Sequence, residues 1–522
     1  MKNRPNFLFF ITDQQRADWL GCYGHPVVRT PNIDRISENG TRFERFYTAS
    51  PVCMPNRASL MTGRYPSLHG LRYNGCVLPQ TANTFINILA EDGYDTAAIG
   101  KSHLQPFSAK APMGKSIESV KNTKEAWNDI ERVKNYLEEP YFYKSDDKFE
   151  IQVPYYGFKH VDMVTSHGDR CGGNYNQWFR QMAPNWEALH NPKNQLAHNF
   201  TCPQAYRTPI PEELYPTAYI RDRTIDYIKG RGEKDSPFFA FVSFPDPHHP
   251  FNPPGKYWHM YDPDAFGIPL PYDVHKNPTP PMKWLHKNWK SDGSGQSTPQ
   301  TAVMLDDHHI REAMALTAGM ISFIDDAIGT IIDALNETGN AQNTVVCFNS
   351  DHGDYLGDFN MILKGVPQFK SITRVPFIWF DPQMRTQEKT GALCSTVDIA
   401  SSILERAGSK TFNGNQGKSF LPVLLGETPL RDEALIEYND SGCRLGFPEP
   451  ARVRSVITRD WRYTVYKDCD WGELYNLKSD PDETENLWES SAFTSTKSYF
   501  SERLNHHLIA QMDESPLSDR LA

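Results

Sequence analysis

The chain has 522 residues, 39% of them hydrophobic and 23% charged, which predicts a globular protein with one large core and a smaller second domain. Its net charge is −10 without any block of like charges, which argues against nucleic-acid binding or binding to anionic membranes as a main activity. The net negative charge does not exclude binding of a small anion, because a local group of lysine, arginine and metal can make the electrostatic field in a pocket positive.

Cysteine usage and the N-terminal stretch predict a cytoplasmic protein, which we expect to come from a bacterium. The longest apolar runs, such as 7–11 and 238–244, are too short to cross a bilayer, and the N-terminus is typical of a first strand rather than a signal peptide. The nine cysteines include no CxxC pair, which argues against a disulfide framework or a thiolate zinc site. We therefore expect most of them to be reduced and buried, and we expect no membrane partner.

In chain order, the first recurring feature is a short apolar run that ends in polar, chemically capable residues. These runs are predicted β-strands at 6–12, 95–99, 238–244 and 344–348. The polar residues that follow them are Asp13 and Gln14, Lys101 and His103, His248, and Asp351 and His352. Near-continuous apolar strands are typical of a parallel sheet that is covered on both faces.

Helical patterns lie between these strands. Apolar residues recur at three- and four-residue steps over 315–336 and 395–407, and a glycine follows each segment as a stop signal. A further helix is predicted from Cys53 to Gly63. Strands that alternate with helices indicate a doubly wound, mostly parallel α/β sheet with helices on both faces, whose ligands bind at the carboxyl ends of the strands.

Two regions interrupt this alternation within a predicted catalytic domain over 1–429. The segments at about 105–215 and 250–305 are rich in Pro, Asn, Trp and His. We interpret them as insertions over the sheet edge that shape the pocket or an oligomer contact.

The pattern changes after residue 429. Short strands are predicted at 435–438, 452–458 and 461–466, and a terminal helix at about 495–512. These elements predict a small C-terminal α+β domain over 430–522.

The strand-end residues suit a divalent metal ion. A carboxylate at the end of a strand, taken alone, is more often a helix cap or a turn residue. Asp13, Asp351 and His352 together make a stronger case, because carboxylates and an imidazole at adjacent strand ends are ligands for a divalent cation. Gln14 adds a neutral oxygen.

Four other residues are weaker candidates when each is considered alone. His248 lies in the proline-rich loop PDPHHPFNPP, where a histidine is more often structural than functional. Lys101 and His103, in GKSH, and Lys364, in MILKG, are weaker still, because most lysines simply lie at the surface.

Cys53 is the discriminating residue. As a thiolate nucleophile it would need a nearby histidine base, and as a zinc ligand it would need further cysteines, but neither is close in the sequence. Instead, Cys53 begins a predicted helix within CMPNRAS. A helix start offers free N–H groups and a positive dipole end to an anion.

The segment CMPNR, from Cys53 to Arg57, resembles the C-x-P-x-R signature of type I sulfatases of the alkaline phosphatase superfamily. In that family the cysteine is oxidised after translation to Cα-formylglycine. Other segments resemble the same family in the expected order: FFITDQQR, LMTGRYP with the following HG, GKSHL, DPHHPF, SDHGDYLGD and ELYNLKSDPDETENL. They span nearly the whole chain apart from the insertions. The resemblance implies an alkaline-phosphatase-like fold and a hydrolase close to the arylsulfatase and phosphonate monoester hydrolase branch.

The resemblance also implies how the nucleophile and the metal would be arranged. Cys53, as the formylglycine hydrate, would be the nucleophile, and one of its hydroxyls would share a metal ion with Asp13, Gln14, Asp351 and His352. A metal ion and adjacent cations lower the cost of removing the hydroxyl proton near neutral pH.

The remaining matches are implied to contact the diol or the substrate. Arg57 and Lys101 would stabilise the ionised diol and the substrate oxyanion, and His103 would take the proton from the second hydroxyl. His248 and Lys364 would contact the sulfate and assist the departing oxygen. Asn74 would also face the pocket.

Gln14 departs from the pattern of many sulfatases, which have a second aspartate here. It resembles the phosphonate monoester hydrolases, but these tend to carry uncharged groups where this chain has Lys101 and His103. We therefore expect a hydrolase of aryl or alkyl sulfate monoesters that is promiscuous towards phosphonate monoesters, with a phosphonate monoester or phosphodiester hydrolase as the alternative. The metal is expected to be Ca²⁺, which suits oxygen ligands, or Mn²⁺, which tolerates imidazole and amide better.

A function of another class is a non-catalytic anion-binding protein or redox sensor in which Cys53 stays a thiol. The sulfatase interpretation implies a small anionic sulfate ester as substrate and a formylglycine-generating enzyme that acts on Cys53. We also expect a homo-oligomer, a dimer or a tetramer, formed through the insertions or the C-terminal tail.

Overall fold

The central strand of the fold, Asn6–Thr12, is buried along its whole length. Its side chains alternate between two hydrophobic clusters, with Leu8 and Phe10 on one face of the sheet and Phe7 and Phe9 on the other. Successive side chains of a strand point to opposite faces, so a strand that is apolar at every position needs cover on both sides. This is the physical reason for the unbroken apolar run in the sequence.

The computed structural model describes residues 4–520 except 109, 111–122, 125, 127–135, 232–235, 293–299, 385 and 428. Its strands are β1 Asn6–Thr12, β2 Thr41–Phe43, β3 Phe46–Tyr47, β4 Asp95–Gly100, β5 His160–Thr165, β6 Gly172–Gly173, β7 Phe238–Ser243, β8 Val303–Met304, β9 Thr344–Ser350, β10 Met361–Ile362, β11 Phe377–Phe380, β12 Lys389–Thr390, β13 Cys394–Ser395, β14 Glu433–Asn439, β15 Arg452–Thr458, β16 Trp461–Tyr466 and β17 Gly472–Asn476. Its α-helices are Pro31–Glu38, Cys53–Thr62, Pro66–His69, Phe85–Glu91, Pro140–Ser145, Asn174–Met182, Trp186–Leu189, Pro216–Gly230, Pro280–Asp292, Asp307–Glu337, Lys370–Thr373, Asp398–Ala407, Leu421–Leu424 and Thr494–Ala510.

Nine strands form the main sheet, in the order β12-β2-β11-β9-β1-β7-β4-β5-β6. β1 pairs in parallel with β7 and β9, and β4 pairs in parallel with β7 and β5. β11 and β6 run antiparallel to their neighbours. The predicted doubly wound, mostly parallel sheet is confirmed.

Helices cover both faces of this sheet. Asp307–Glu337 packs with Pro216–Gly230 on one face, and Cys53–Thr62 packs with Asp398–Ala407 on the other. By length and composition Asp307–Glu337 could cross a membrane, with a mean hydropathy of 1.5, but 83% of its apolar window lies inside the fold. It is therefore placed as a core helix.

The C-terminal region forms a separate antiparallel sheet in the order β14-β15-β16-β17. Phe500 and Leu504 of the last helix pack on this sheet. Arg462 is buried inside it and pairs with Glu473 at 2.6 Å and Glu483 at 2.5 Å. The predicted smaller α+β part is confirmed, while its boundary at residue 430 stays a prediction.

Three predicted elements differ in extent from the structure. The helix predicted at 315–336 begins at Asp307, because Ile310 continues its buried face towards the N-terminus. The helix predicted at 395–407 begins at Asp398, since Cys394–Ser395 pairs with β3 as a strand. β17 was not predicted as a strand, because its sequence, GELYN, is short and contains no apolar run.

The segment at 105–215 adds strands to the main sheet. β5 pairs in parallel with β4, and β6 closes that edge of the sheet. Residues that follow β5 therefore lie beside those that follow β4. Most of 109–135 lies outside the described residues.

Candidate active site

The register of the central strands brings their carboxyl ends together. Thr12 of β1 pairs with Ser350 of β9, and Gly100 of β4 pairs with Ser243 of β7. The Asp351 N–H then donates to the Thr12 carbonyl at 3.1 Å, which continues the alignment by one residue. The polar residues that directly follow these strands therefore share one edge of the sheet.

Two glycines allow close backbone approach at this edge. A Cβ on Gly100, whose φ is +108°, would lie 2.0 Å from the carbonyl oxygen of Ser243. A Cβ on Gly353 would lie 1.8 Å from the carbonyl oxygen of Ser371. A side chain at either position would push the backbone apart and displace the polar residues next to it.

Four buried side chains place their ligand atoms within 4.8 Å of one another: Asp13, Cys53, Asp351 and His352. Cys53 Sγ lies 3.1 Å from His352 Nε2 and 3.6 Å from Asp13 Oδ1. His352 Nε2 lies 3.5 Å from Asp13 Oδ1 and 3.6 Å from Asp351 Oδ1. Carboxylate oxygens and an imidazole nitrogen that converge in this way fit a divalent cation.

Hydrogen bonds fix the direction of each ligand. His352 Nδ1 lies 2.9 Å from the Gly353 carbonyl, so Nδ1 carries the proton and Nε2 keeps its lone pair for a metal. Burial, with a smaller effect of Lys364, lowers the pKa of His352 to about 4, so the ring is neutral at pH 7. Asp351 uses its second oxygen, Oδ2, to accept from Arg57 Nε at 2.7 Å.

The two carboxylate oxygens of Asp13 also contact different partners. Its Oδ1 faces Cys53, and its Oδ2 accepts a hydrogen bond from the Lys101 ammonium. Burial by itself would raise the pKa of Asp13, but the Lys101 and Arg57 cations outweigh burial and hold that pKa well below its ordinary value. Asp13 is therefore ionised at neutral pH, as a metal ligand would have to be.

Gln14 lies in the site, and its backbone and side chain are hydrogen-bonded to other site residues. Its backbone N–H donates to Asp351 Oδ1 at 3.1 Å, and its Nε2 donates to Asp354 Oδ2 at 2.6 Å. Its Oε1 accepts from Lys364 Nζ at 2.5 Å. Gln14 would have to exchange Lys364 for a metal in order to act as a ligand through this oxygen.

A second group of side chains adjoins Asp13. Lys364 Nζ lies 2.9 Å from His248 Nε2, and the His248 ring stacks on His167 with centroids 3.6 Å apart. His167 Nε2 lies 2.6 Å from Lys101 Nζ. Burial first, and neighbouring histidines and lysines second, hold the pKa values of His167 and His248 well below their ordinary range. Two ammonium groups beside two neutral imidazoles suit a tetrahedral anion.

Asp13, His167 and His248 also have the spacing of a metal-ligand group. However, the Lys101 ammonium contacts both the Asp13 carboxylate and the His167 ring. An ammonium group therefore already fills the place that a second cation would take, and we interpret this group as an anion pocket.

His103 lies next to the anion pocket. Its ring stacks on Phe107 with centroids 4.2 Å apart, and Phe107 in turn lies 5.7 Å from Lys101 Nζ. Burial, followed by Lys101, holds the pKa of His103 well below its ordinary value. Its buried Nδ1 has no hydrogen-bond partner among the described residues.

Glu138 fixes the loop that carries His103. The backbone of His103 is left-handed, with φ of +59°. The buried Glu138 carboxylate accepts from the N–H groups of His103 at 2.9 Å, Leu104 at 3.0 Å and Gln105 at 3.2 Å. These bonds set the direction of the His103 side chain.

Cys53 begins a helix, Cys53–Thr62, in which every residue is buried. Burial, followed by Asp13, raises the pKa of the Cys53 thiol to about 11. A redox-sensing cysteine needs an accessible thiol with a low pKa. Cys53 has neither property, which argues against the sensor hypothesis.

Asn74 is placed beside the nucleophile helix. Its Oδ1 accepts from the N–H of Met54, the residue after Cys53, at 3.2 Å. The structure therefore shows Asn74 as a support of the first helical turn.

Three site residues were missed by the sequence analysis: His167, His249 and Asp354. His167 follows β5, but β5 reads HVDMVT and lies in the segment that we interpreted as an insertion, so it gave no signal of a buried apolar strand. His249 and Asp354 both bond to the Gln14 amide. They lie inside quoted motifs, DPHHPF and SDHGD, but their roles depend on contacts with a distant part of the chain.

Comparison with known proteins identifies the family of this chain. The family model described as Sulfatase matches residues 5–409, and one described as N-sulphoglucosamine sulphohydrolase, C-terminal, matches residues 368–510. An arylsulfatase of Clostridium perfringens is 27% identical over 94% of this chain and 91% of its own length. A multifunctional alkaline phosphatase superfamily protein of Trinickia caryophylli is 25% identical over 94% of this chain and 92% of its own.

A solved structure shows the same fold. The phosphonate monoester hydrolase of Agrobacterium radiobacter superimposes with a TM-score of 0.75 over 99% of this chain and 98% of its own, at 22% identity. The alkaline-phosphatase-like architecture is thereby confirmed. Because the family model covers most of the sequence, the chain belongs to the sulfatase family and is a sulfuric ester hydrolase of the alkaline phosphatase superfamily.

Proposed function

We propose that the protein converts aryl or alkyl sulfate monoesters to an alcohol and inorganic sulfate, with Cys53 acting after its conversion to formylglycine. One observation carries this proposal: Cys53 Sγ lies 3.6 Å from Asp13 Oδ1 and 3.1 Å from His352 Nε2, inside a buried group of metal-ligand type. A hydroxyl at this position would lie beside both the metal ligands and the anion pocket.

The residues present fit one divalent metal ion, for which we propose Ca²⁺ or Mn²⁺. Asp13, Asp351, His352 and residue 53 would hold it, because their ligand atoms all lie within 4.8 Å of one another. Gln14 would join them through Oε1, in exchange for its bond to Lys364. When bound, such an ion lowers the pKa of a hydroxyl and stabilises negative charge on oxygen. Formylglycine, as its hydrate, would supply the nucleophilic hydroxyl and a second hydroxyl through which the aldehyde could re-form.

The chain's own side chains would bind and orient the sulfate group. Lys101 and Lys364 would each direct an ammonium to its oxygens, held in place by His167 and His248. Lys364 would donate to the departing oxygen as negative charge develops there. His248, whose Nδ1 lies 2.7 Å from the His249 carbonyl and whose Nε2 lies 2.9 Å from Lys364 Nζ, would contact the sulfate and orient that ammonium. The neutral His103, whose Nδ1 is free among the described residues, would accept a proton from the hydrate.

We propose that a formylglycine-generating enzyme acts on Cys53 before the chain folds. Cys53 is only 1% exposed, and its helix is buried at every position. A modifying enzyme could not reach this thiol in the folded protein.

Hydrolysis of phosphonate monoesters or phosphodiesters is the second candidate activity. Gln14, in place of a second carboxylate, favours it, because it makes the site less anionic. Both substrate classes carry one negative charge on a tetrahedral centre, so we expect both to be turned over, with sulfate preferred. The relative from Trinickia caryophylli, which is described as multifunctional, supports promiscuity.

The mass of the peptide around Cys53 tests the proposal. In the active enzyme we expect a peptide within residues 45–70 to have lost the Cys53 sulfur, and we expect the Cys53→Ala variant to lack sulfatase activity. An active preparation in which Cys53 is fully alkylated as a thiol would contradict the proposal. The values of kcat/KM for an aryl sulfate and an aryl phosphonate monoester then rank the two activities.

A further inference from the structure

The loop that contains Arg72, Tyr73 and Asn74 lies against the first turn of the nucleophile helix. Asn74 Oδ1 accepts from the Met54 N–H at 3.2 Å, and the Gly75 N–H lies 3.2 Å from the Met54 sulfur. Arg72 and Tyr73 therefore directly precede Asn74, which contacts Met54, the residue after Cys53. They border the catalytic site without belonging to the metal or sulfate groups described above.

The C-terminal sheet meets the same loop. Asn439, at the end of β14, donates from Nδ2 to the Arg72 carbonyl at 3.3 Å. Val52, which precedes Cys53, packs in one hydrophobic cluster with Tyr438 and Val453 of β14 and β15. The start of β15, where Arg452 lies opposite Asn439, therefore also borders the catalytic site.

Two guanidinium groups converge on one aromatic ring at this border. The Cζ atoms of Arg72 and Arg452 lie 5.9 and 5.6 Å from the centroid of the Tyr73 ring. Arg72 is exposed, and Tyr73 and Arg452 are partly exposed. We call these three residues the rim cluster.

Among the described residues, no ion pair with a carboxylate balances the positive charge of the rim cluster. Within the described part of the chain, neither Arg72 nor Arg452 forms an ion pair with an acidic side chain; Arg452 donates to the Asp440 carbonyl at 2.7 Å instead. Nearby Arg454 is different, since it lies 3.7 Å from the Glu437 carboxylate. Two uncompensated arginines are unexpected in a chain with a net charge of −10, and they produce a local positive field.

We propose that the rim cluster is a subsite for a second anionic group of the substrate, so that the preferred substrates are sulfate esters that also carry another sulfate or a carboxylate. This inference rests on the proposed sulfatase function. The planar guanidinium fork suits both sulfate and carboxylate oxygens, and the electron-rich face of the Tyr73 ring attracts both cations at 5.9 and 5.6 Å. One charged group would enter the catalytic pocket while the other binds at the rim.

A comparison of substrates with one and two anionic groups tests the subsite. The formylglycine-containing enzyme is assayed with a monosulfated sugar, with the disulfated sugar that has the same scissile ester, and with a sugar that has one sulfate and one carboxylate. We expect the wild type to prefer both doubly charged sugars by about tenfold in kcat/KM, and we expect added salt to reduce this preference. The doubly charged sugar with the larger preference shows whether the second anionic group is a sulfate or a carboxylate.

The Arg72→Ala and Arg452→Ala variants should each lower the ratio of kcat/KM for the doubly charged sugar to that for the singly charged one, mainly through KM. The Lys467→Ala variant removes an exposed positive charge that already pairs with Asp468, and it should leave the ratio unchanged. An unchanged ratio in both arginine variants, or a wild type with no preference for a second anion, would overturn the subsite.

The two proposals can fail separately. An enzyme that cleaves only phosphonate monoesters would contradict the sulfatase function. The rim cluster would then be judged by the same arginine variants on phosphonate monoesters with and without a carboxylate, where an unchanged ratio again overturns it.

Discussion

At the scale of single residues, the two metal-site carboxylates use their oxygens for different purposes. Asp351 Oδ2 accepts from Arg57, while its Oδ1 faces His352 at 3.6 Å. Asp13 likewise accepts from Lys101 through Oδ2, while its Oδ1 faces Cys53. Each carboxylate is therefore a counter-ion to a buried cation and, in the proposed site, also a metal ligand, so its removal would leave that cation unpaired and would remove a ligand.

Replacing Asp13 or Asp351 by Ala should abolish activity and lower the content of bound divalent metal. The loss in kcat should exceed about a thousandfold, because the metal would stabilise charge on the nucleophile and the substrate by several kcal/mol. Metal analysis of the purified variants and their rates on an aryl sulfate check this. Asp264→Ala, at a carboxylate whose side chain is 89% exposed, is the control. Full metal content and full rate in either variant would show that the site is wrongly assigned.

Replacing Lys101 by Ala should reduce sulfate turnover more than phosphonate turnover. Lys101 Nζ bonds to Asp13 and His167, which leaves a third N–H for a substrate oxygen. A sulfate ester has an oxygen where a phosphonate monoester has carbon, so only sulfate can accept this bond. We expect a difference of about 1–3 kcal/mol between the two barriers, measured as kcat/KM on both substrates. Equal losses on the two substrates would show that Lys101 only balances the charge of Asp13.

At the scale of elements, the nucleophile helix is held in place by its own polar side chains. Asn56 is fully buried; its Oδ1 accepts from the Ala49 N–H at 3.0 Å, and its Nδ2 donates to the Asp351 carbonyl at 2.5 Å. This one side chain therefore ties the helix to the end of β9. His69, on the short helix that follows, adds a second hydrogen bond to the nucleophile helix, with Nε2 3.1 Å from Ser59 Oγ.

The buried, neutral His69 ring should make the protein less stable as the pH falls from about 6.5 towards 4. The Leu71 N–H donates to His69 Nδ1 at 3.2 Å, so the bonded ring is neutral. Burial, followed by Arg64, lowers the pKa of His69 to about 3. The unfolded chain therefore takes up a proton that the folded chain does not, and unfolding is favoured below the unfolded pKa of about 6.5.

At pH 5 this effect should cost about 2 kcal/mol of the free energy of unfolding. Denaturant unfolding at several pH values measures it, and the His69→Gln variant should show a slope lower by about one proton between pH 4 and 6. An identical slope in the variant would mean that other groups cause the acid sensitivity.

At the scale of the whole molecule, two sheets build one site. The ends of the main-sheet strands supply Lys101 and the candidate metal ligands Asp13, Asp351 and His352, while the C-terminal sheet meets the loop beside Cys53 through Asn439. The domain boundary at 430 and the cytoplasmic location stay predictions. The same holds for the expectation that the protein binds neither nucleic acid nor membranes.

The protein should form a dimer or a tetramer. The C-terminal helix and tail expose large apolar side chains, including Tyr499 at 55%, Ile509 at 75% and Met512 at 66%. Light scattering should give two or four times the chain mass of 59.7 kDa, and Ile509→Glu together with Met512→Glu should lower it. A single-chain mass for the wild type would contradict this prediction.

The sequence by itself determined the local parts of this protein: the central strands, the helix that begins at Cys53 and the polar residues at the strand ends. These follow from apolar runs and from a motif of a few residues, and neighbouring residues are enough to establish them. Asp13, Asp351 and His352 could be named in advance because each directly follows a buried strand.

Only the tertiary structure decided which atoms of these residues contact one another. The bond of Gln14 to Lys364, the inclusion of His167 in the anion pocket and the support of His103 by Glu138 join segments that are far apart in the chain. Each depends on the register and order of strands in the sheet, and in particular on β5 lying next to β4. A sequence pattern records which side chains are available, but strand pairing sets which of their atoms come within hydrogen-bonding distance.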